Sequence, residues 1–481
     1  MSATTETLGA VRVQARTASL RKWAPLPIVL AGVFMVVLDF FIVNVAMPTM
    51  QGELHAGANA IQWVVAGYGL AFAAGLITGG RLGDQLGRRR MFTIGLALFV
   101  VTSAACGIAP SADTLVAARV AQGAASALLM PQVLAILGVA YTGPDRMKAL
   151  TAYTMTLGIA AVGGQLIGGV LIRLDPAGLD WRACFLVNVP VGLAALAVAS
   201  RVVPENRAEG ESRLDLVGAD LVTLGLVAIL LPLIEGREQG WPAWTWASFA
   251  GAGLVMVAFG LYQRRVARRG GSPLVPPELF AQRAFTAGMA TVVLFFVTVA
   301  SFFLVLALEL QEGRGLDALQ SGLVFGFEGL GFFVTTLTAS RFVARLGRQA
   351  LALGALVRAV ALLALYVAVN QVGAHGSVAW LAVPLMLDGA GIGLVMGPII
   401  AIVLSGVAPR HAGAASGVLA SAQQIGNAFG VAVIGVVYFG ALEGGHAVPE
   451  AFRTSLLWLA AGSVAVAALI QALPRGERAA G

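Results

Sequence analysis

The sequence predicts an all-α membrane protein of fourteen transmembrane helices, two six-helix bundles with two extra central helices between them. Three observations predict it. First, 58% of the 481 residues are hydrophobic and only 11% are charged, against roughly 25% charged in a soluble domain. Second, apolar runs of roughly twenty residues or more recur along the whole chain, each long enough to cross a ~30 Å hydrocarbon core. Third, 24 of the 31 Lys/Arg fall in every second connection, as the positive-inside rule requires. This composition excludes a soluble enzyme, a secreted disulfide scaffold and a disordered chain. Sixty glycines fit helices whose backbones approach closely.

The first span, 24–48, follows Arg12, Arg16, Arg21 and Lys22 and contains Asp39. It is too long for a signal-peptide core, so it reads as an uncleaved first helix. The second, 61–80, runs into the basic stretch Arg81 to Arg90, and the third is 91–109. The fourth, 113–140, carries Arg119. The fifth, 148–172, carries Gly164, Gly168 and Gly169, and the sixth is 183–202. The seventh and eighth, 216–234 and 245–263, are among the shortest spans. The ninth to fourteenth follow at 284–309, 319–340, 349–369, 378–404, 413–440 and 454–473. Gly80-Arg-Leu-Gly-Asp-Gln-Leu-Gly-Arg88 recurs weakly as Ser340-Arg-Phe-Val-Ala-Arg-Leu-Gly-Arg348, an offset of 260. The same offset carries the start of span 1 onto span 9. The expected organisation is a cytoplasmic segment 1–23, a bundle 24–203, a linker 204–283 with two extra helices, a bundle 284–474 and a cytoplasmic tail 475–481. Parallel halves of this kind place a substrate site near the midplane between them.

The charges left inside the spans are the functional candidates, because a charge at the bilayer centre costs about 2.5–3.5 kcal/mol on insertion scales. Asp39, Glu328 and Asp388 all fall near midplane by helix rise, and Arg119 is close enough in level to pair with Asp39. A buried carboxylate can exchange a proton near neutral pH. Asp39 is therefore the expected main proton carrier, with a permanent Asp39–Arg119 structural pair as the alternative. Arg358 is expected to snorkel toward its end of span 11. Glu309 and Glu312 are expected at a solvated rim. Span 4 aligns Arg119, Gln122, Ser126 and Met130 on one face, and span 13 aligns Ser416, Gln423, Asn427 and Gly430. Gly164 and Gly168 make a small-residue packing surface. Gly80, Gly83 and Gly87 are expected to permit a tight turn, beside Asp84, Arg88 and Arg89. Cys106 and Cys184 read as packing residues. His55, His375, His411 and His446 all lie in connections without metal-ligand spacing, and there is no phosphate-binding loop. No cofactor, metal or nucleic-acid partner is expected.

Several runs carry a resemblance. Leu38-Asp-Phe-Phe-Ile-Val-Asn-Val-Ala-Met-Pro48 ends span 1, and Gly80 to Arg90 joins spans 2 and 3. Arg119-Val-Ala-Gln-Gly-Ala-Ala-Ser-Ala127 lies in span 4, and Gly164-Gln-Leu-Ile-Gly-Gly169 in span 5. Trp181-Arg-Ala-Cys-Phe-Leu-Val-Asn-Val-Pro-Val-Gly192 opens span 6. In this order they resemble the major facilitator superfamily, and within it the fourteen-helix drug:proton antiporters. Leu310-Gln311 with Gly313, Gly322-Leu323, and Ala412 to Gly417 with Gln424 and Gly426 are similar to the same group. The resemblance covers essentially the whole chain, with three departures: Phe41 for a Thr, Gln165 for a kink-forming Pro, and Ala344 for the Asp of the second loop copy.

The resemblance implies a proton-coupled exporter of amphipathic, cationic drugs or antibiotics, a monomer in the inner membrane with both termini cytoplasmic. It implies a cavity lined from spans 1, 2, 4, 5, 9, 10, 12 and 13, with Asp39, Gln122, Ser126, Gln165, Gln311, Glu328, Asp388, Gln423 and Asn427 on its wall. It makes Gly80, Asp84, Gly87, Arg88 and Arg89 a cytoplasmic gate. A facilitator or importer of one metabolite, or an exporter dedicated to one natural product, stays open as an alternative.

Overall fold

A computed structural model describes residues 22–205, 215–373, 376–405, 407 and 412–473. Arg12, Arg16, Arg21, Arg207, Arg213, Arg410, Arg475 and Arg478 of the charge pattern lie outside the described residues, as do His375, His411 and the side chain of Ser416. The described residues are nearly all helical and contain no strand. Among the described residues, fourteen helices are long and apolar enough to cross a membrane.

These are α1 (Pro25–Glu53), α2 (Ala58–Leu86), α3 (Arg88–Gly107), α4 (Ala112–Ala140), α5 (Gly143–Leu174), α6 (Asp180–Val202), α7 (Leu216–Glu235) and α8 (Ala243–Arg268). A connector with one short helix, Pro277–Ala281, leads to α9 (Arg283–Leu308), α10 (Ala318–Leu346), α11 (Arg348–Val372), α12 (Ala379–Ser405), α13 (Ala412–Glu443) and α14 (Val448–Ile470). Helix starts are set locally. Ser111 caps α4 in a reciprocal box with Thr114, and Asp317 caps α10 with Gln320.

The helix pairings repeat between the halves. α2 packs on α4, α3 on α4, α1 on α5 and α3 on α6; α10 packs on α12, α11 on α12, α9 on α13 and α11 on α14. The turn between α2 and α3 is made by Gly87 (φ +105°), and its counterpart by Gly347 (φ +57°). The basic stretch is thus less of a loop than the sequence suggested. Gly80 and Gly83 lie inside α2, and only Gly87 carries a positive φ there. Gly83 serves packing instead, since a Cβ there would sit 2.6 Å from the Gln132 Cδ of α4. A Cβ on Gly87 would lie 2.6 Å from a Glu205 oxygen, and its backbone region is one that side chains avoid at ~1–3 kcal/mol. Gly87→Ala should lower the thermal unfolding midpoint in detergent, while Gly80→Ala should change it far less.

The halves meet along α2 with α13 and α5 with α10. Small residues permit the approach: a Cβ on Gly69 would be 3.3 Å from the Ala428 Cβ, and one on Gly169 2.7 Å from the Leu319 Cα. Arg173 of α5 and Asp317 of α10 pair at 2.6 Å at this closed end. The opposite, arginine-rich end is parted. α7 packs on α2 and α13, with Glu235 accepting from Trp63 Nε1 at 2.6 Å. α8 packs mainly on α7 and exposes Leu254, Val257 and Leu261, a lipid-facing stripe. Asp215, at the head of α7, accepts from Gln263 and from the backbone N–H groups of Gly218 and Leu274. Burial would raise its carboxyl, but these hydrogen bonds outweigh it and hold the group below the usual carboxylate range.

Candidate functional site

The parting of the halves leaves a cavity of ≈ 740 Å³, running from the arginine-rich end toward midplane. Each half contributes aromatic walls: Phe40, Phe41, Phe72 and Tyr153 from one, Phe296, Phe303 and Phe332 from the other. Phe41 and Phe303 meet across the divide with ring centroids 4.9 Å apart. Polar groups on the membrane-spanning wall are few, namely Gln132, Glu328, Gln423, Gln424 and Asn427. The mouth carries Arg81, Asp84, Arg88 and Arg146, together with connector residues between Ala267 and Glu278. An apolar chamber with a few placed polar groups is the form of a drug-sized binding site.

Asp39 sits at the centre of α1 and is fully buried. It pairs with Arg119 of α4, and accepts from Gln122 Nε2 and Asn188 Nδ2, both at 2.9 Å. Arg119 also donates to Gln122 Oε1 at 2.7 Å and to the Val64 carbonyl at 2.9 Å. Its guanidinium lies 4.1 Å from the centre of the Tyr68 ring. Tyr68 and Ser126 hydroxyls bond at 2.8 Å, and Asn188 also donates to Ser103 at 3.1 Å. Charges taken out of water require such pairing. The network lies behind the cavity: Asp39, Gln122 and Ser126 are absent from its wall in this conformation. Burying Asp39 completely requires donors on both carboxylate oxygens, here Arg119 on one and Gln122 and Asn188 on the other, and the same packing removes it from open space.

The second half holds another centre. Arg358 of α11 is buried, and donates to Asp388 of α12 at 3.1 Å and to the Thr298 hydroxyl and carbonyl of α9 at 2.7 and 3.0 Å. The snorkelling expectation for Arg358 is therefore corrected. Three inward partners hold a side chain that would otherwise have to reach the interface. Asp388 lies behind the cavity wall, while Glu328 of α10 lines it. Neither Glu328 oxygen meets a hydrogen-bond donor among the described residues.

Gln423 and Asn427 line the cavity, with Asn427 Nδ2 donating to Gln424 at 3.0 Å. Gln165 does not: it is buried at the α5–α10 contact, where a Cβ on Gly322 would lie 3.0 Å from the Leu166 Cα. Gln311 also lies off the wall, in a π-helical turn, Glu309–Gly313, that ends α9. In that turn Glu309 is fully buried and pairs with Arg314 at 3.2 Å. The expected solvated rim is thus corrected for Glu309, because the extra residue of the turn folds its side chain inward against the following Arg. Gly164 and Gly168 face α1, at Leu38 O and Ile42, and Gly169 faces α10. At the mouth Asp84 and Arg88 pair at 3.0 Å, and Arg89 leaves the cavity to reach Glu205 at 3.4 Å. Gly80 and Arg81 line the mouth, with Arg81 donating to the Pro273 carbonyl at 2.9 Å.

Sequence reasoning missed Asn188, Tyr68 and Thr298 as partners of buried charge. An apolar run containing an Arg demands acceptors nearby, and that demand was the available signal.

The Major Facilitator Superfamily model matches residues 29–431. The chain is 37% identical over 88% of its length to a probable actinorhodin transporter of Streptomyces coelicolor, covering 73% of that protein. It is 38% identical over 88% of its length to the puromycin resistance protein pur8 of Streptomyces alboniger, covering 82% of it. Its fold superposes on a crystal structure of a POT family transporter in complex with a thioalcohol-conjugated peptide with a TM-score of 0.67. That match covers 93% and 95% of the two chains at 14% identity, a likeness of fold alone.

Proposed function

The chain belongs to the major facilitator superfamily, and we propose that it is a proton-coupled exporter of amphipathic, cationic small molecules, working by alternating access. The observation that carries this reading is the cavity. It is open at the arginine-rich end, walled by aromatic rings from both halves, and has on its spanning wall a buried carboxyl, Glu328, whose oxygens meet no hydrogen-bond donor among the described residues. The names of the relatives, an antibiotic transporter and an antibiotic resistance protein, support drugs or antibiotics as the substrate class. The positive-inside rule supports both termini in the cytoplasm and the cavity open to it; the inner membrane and a monomeric state belong to the same proposal.

In this reading, residues 24–203 and 284–474 rock against each other about the contacts of α2 with α13 and α5 with α10. The Asp39–Arg119 and Glu328–Asp388 centres couple protonation to that motion. The Asp84–Arg88 pair latches the cytoplasmic mouth when it closes. The driving force is adequate. One proton entering across 100 mV and one pH unit releases about 2.3 plus ~1.4 kcal/mol, enough for a more than hundredfold gradient of a neutral substrate; one-for-one exchange with a monovalent cation moves no net charge and keeps the ~1.4 kcal/mol of the pH unit, about a tenfold gradient.

Inverted vesicles with an imposed pH gradient test it. A panel of cationic and neutral drugs is expected to accumulate and to collapse the gradient. If no compound does either, the exporter reading fails. Crosslinking that places the 264–283 connector outside the cell would overturn the orientation.

A further inference from the structure

We propose that the arginine-rich end of α8 is a binding site for a diacidic phospholipid, one whose headgroup joins two phosphodiesters, held by Arg264, Arg265, Arg268 and Arg269. The site lies outside the transport cavity and does not depend on the export reading.

Four arginines fall within six residues at the C-terminal end of α8, and all four are exposed. Together with Leu261 they line one recess, and no carboxylate enters it. None of the four makes an ion pair among the described residues. Asp220 of the neighbouring α7 is exposed, but it does not line the recess. Topology asks for positive charge near this end of a span, and a helix C-terminus favours it. Neither asks for four guanidiniums around one recess. Crowded cations repel one another, and an anion seated between them removes that repulsion.

The place of the recess sets the kind of anion. At ~100° per residue, the exposed Leu254, Val257 and Leu261 share about 140° of the helix circumference with the four arginines. Gln263 points the opposite way: it is buried and donates to Asp215 at 2.7 Å. The outer face of α8 is therefore an apolar stripe that runs straight into the basic recess. Arg264 lies ten residues beyond Leu254, or ~15 Å along the helix. That is half of a ~30 Å hydrocarbon core, the reach of an acyl chain within one leaflet. A lipid tail on the stripe thus brings its phosphate to the arginines, whereas a soluble anion gains nothing from the stripe. The arginines stand in two columns, Arg264 with Arg268 and Arg265 with Arg269, and side chains at i,i+4 spacing are neighbours. Each column offers two planar donor forks to one phosphate. Two adjacent columns match two phosphates in one headgroup.

Cardiolipin carries two phosphodiesters and phosphatidylglycerol one, so they make a matched pair of probes. Native mass spectrometry of the full-length protein in detergent, titrated with each lipid at equal phosphate, is expected to show one retained cardiolipin. It should bind more than ~tenfold tighter than phosphatidylglycerol, and inorganic phosphate at the same concentration should not displace it. Replacing all four arginines by Gln should weaken cardiolipin binding by more than ~tenfold. Arg341→Gln with Arg345→Gln removes two exposed charges of the same arginine-rich end and should leave binding unchanged. Should the fourfold variant fail to fold, Arg264→Gln with Arg268→Gln carries the test. One column then remains, and cardiolipin should bind no tighter than phosphatidylglycerol. Cardiolipin held equally by the fourfold variant, or lost equally from the Arg341 and Arg345 control, overturns the site. Equal affinity of wild type for the two lipids overturns the two-phosphate headgroup. Displacement by inorganic phosphate overturns a lipid as the occupant.

Discussion

Arg119→Ala is expected to be among the most damaging single substitutions in the first half of the chain. The guanidinium lies in a fully buried site with the Asp39 carboxylate, the Gln122 amide, the Val64 carbonyl and the Tyr68 ring around it. Removing it leaves Asp39 charged, dry and supported only by the amides of Gln122 and Asn188. Breaking one side of such a pair costs about 3–5 kcal/mol, a large share of the ~5–15 kcal/mol that holds a typical domain folded. The expected result is a much lower unfolding midpoint in detergent and poor yield. Asp39→Asn should be milder, since the amide keeps the shape and its oxygen can still accept from Arg119, but transport coupled to protons should be lost. The sharper comparison is the double replacement Asp39→Leu with Arg119→Met. Swapping a whole buried ion pair for apolar groups of similar volume is often neutral for stability. The double variant is therefore expected to regain most of the midpoint lost by Arg119→Ala and to regain no transport. If Arg119→Ala unfolds like wild type, the pair contributes little to the fold. If the double variant transports, the pair is not part of coupling.

The same chemistry explains how much of this site could be read from residues alone. Asp39, Arg119, Glu328 and Asp388 stood out because a charge inside an apolar run is expensive, and that rule needs no coordinates. Depth was readable too, since helix rise is constant. Direction was not. Sequence distance gives the level of Arg358 in its span but not the azimuth that turns it toward Asp388 and Thr298. The two glycines that read as turn-formers, Gly80 and Gly83, illustrate a related limit. Glycine serves both tight turns and close helix contacts, and only Gly87 needed the backbone freedom. Glu309 escaped for a third reason: a π-helical turn at the end of α9 rotates the residue inward, and no periodicity rule anticipates an inserted residue.

Locking the closed end should abolish transport completely, and reversibly. A Cβ built on Gly69 of α2 lies 3.3 Å from the Ala428 Cβ of α13, just short of the ~3.5–4.5 Å Cβ separation of a disulfide. Gly69→Cys with Ala428→Cys should therefore oxidise readily, with a shift of tenths of an ångström. The native Cys106 and Cys184 are buried and should not compete. The pair sits beyond Phe72, the α2 aromatic on the cavity wall, so the bond would tie the halves where they must separate for the cavity to open the other way. Oxidised vesicles are expected to show no pH-driven uptake, and dithiothreitol should restore it; each single cysteine should be insensitive to oxidant. Substrate binding from the open side should survive oxidation, because the cavity is already formed in this state. That split between binding and transport distinguishes a lock from a damaged fold. Continued transport by the oxidised protein would mean that α2 and α13 need not part at this level, and alternating access about this contact would be wrong.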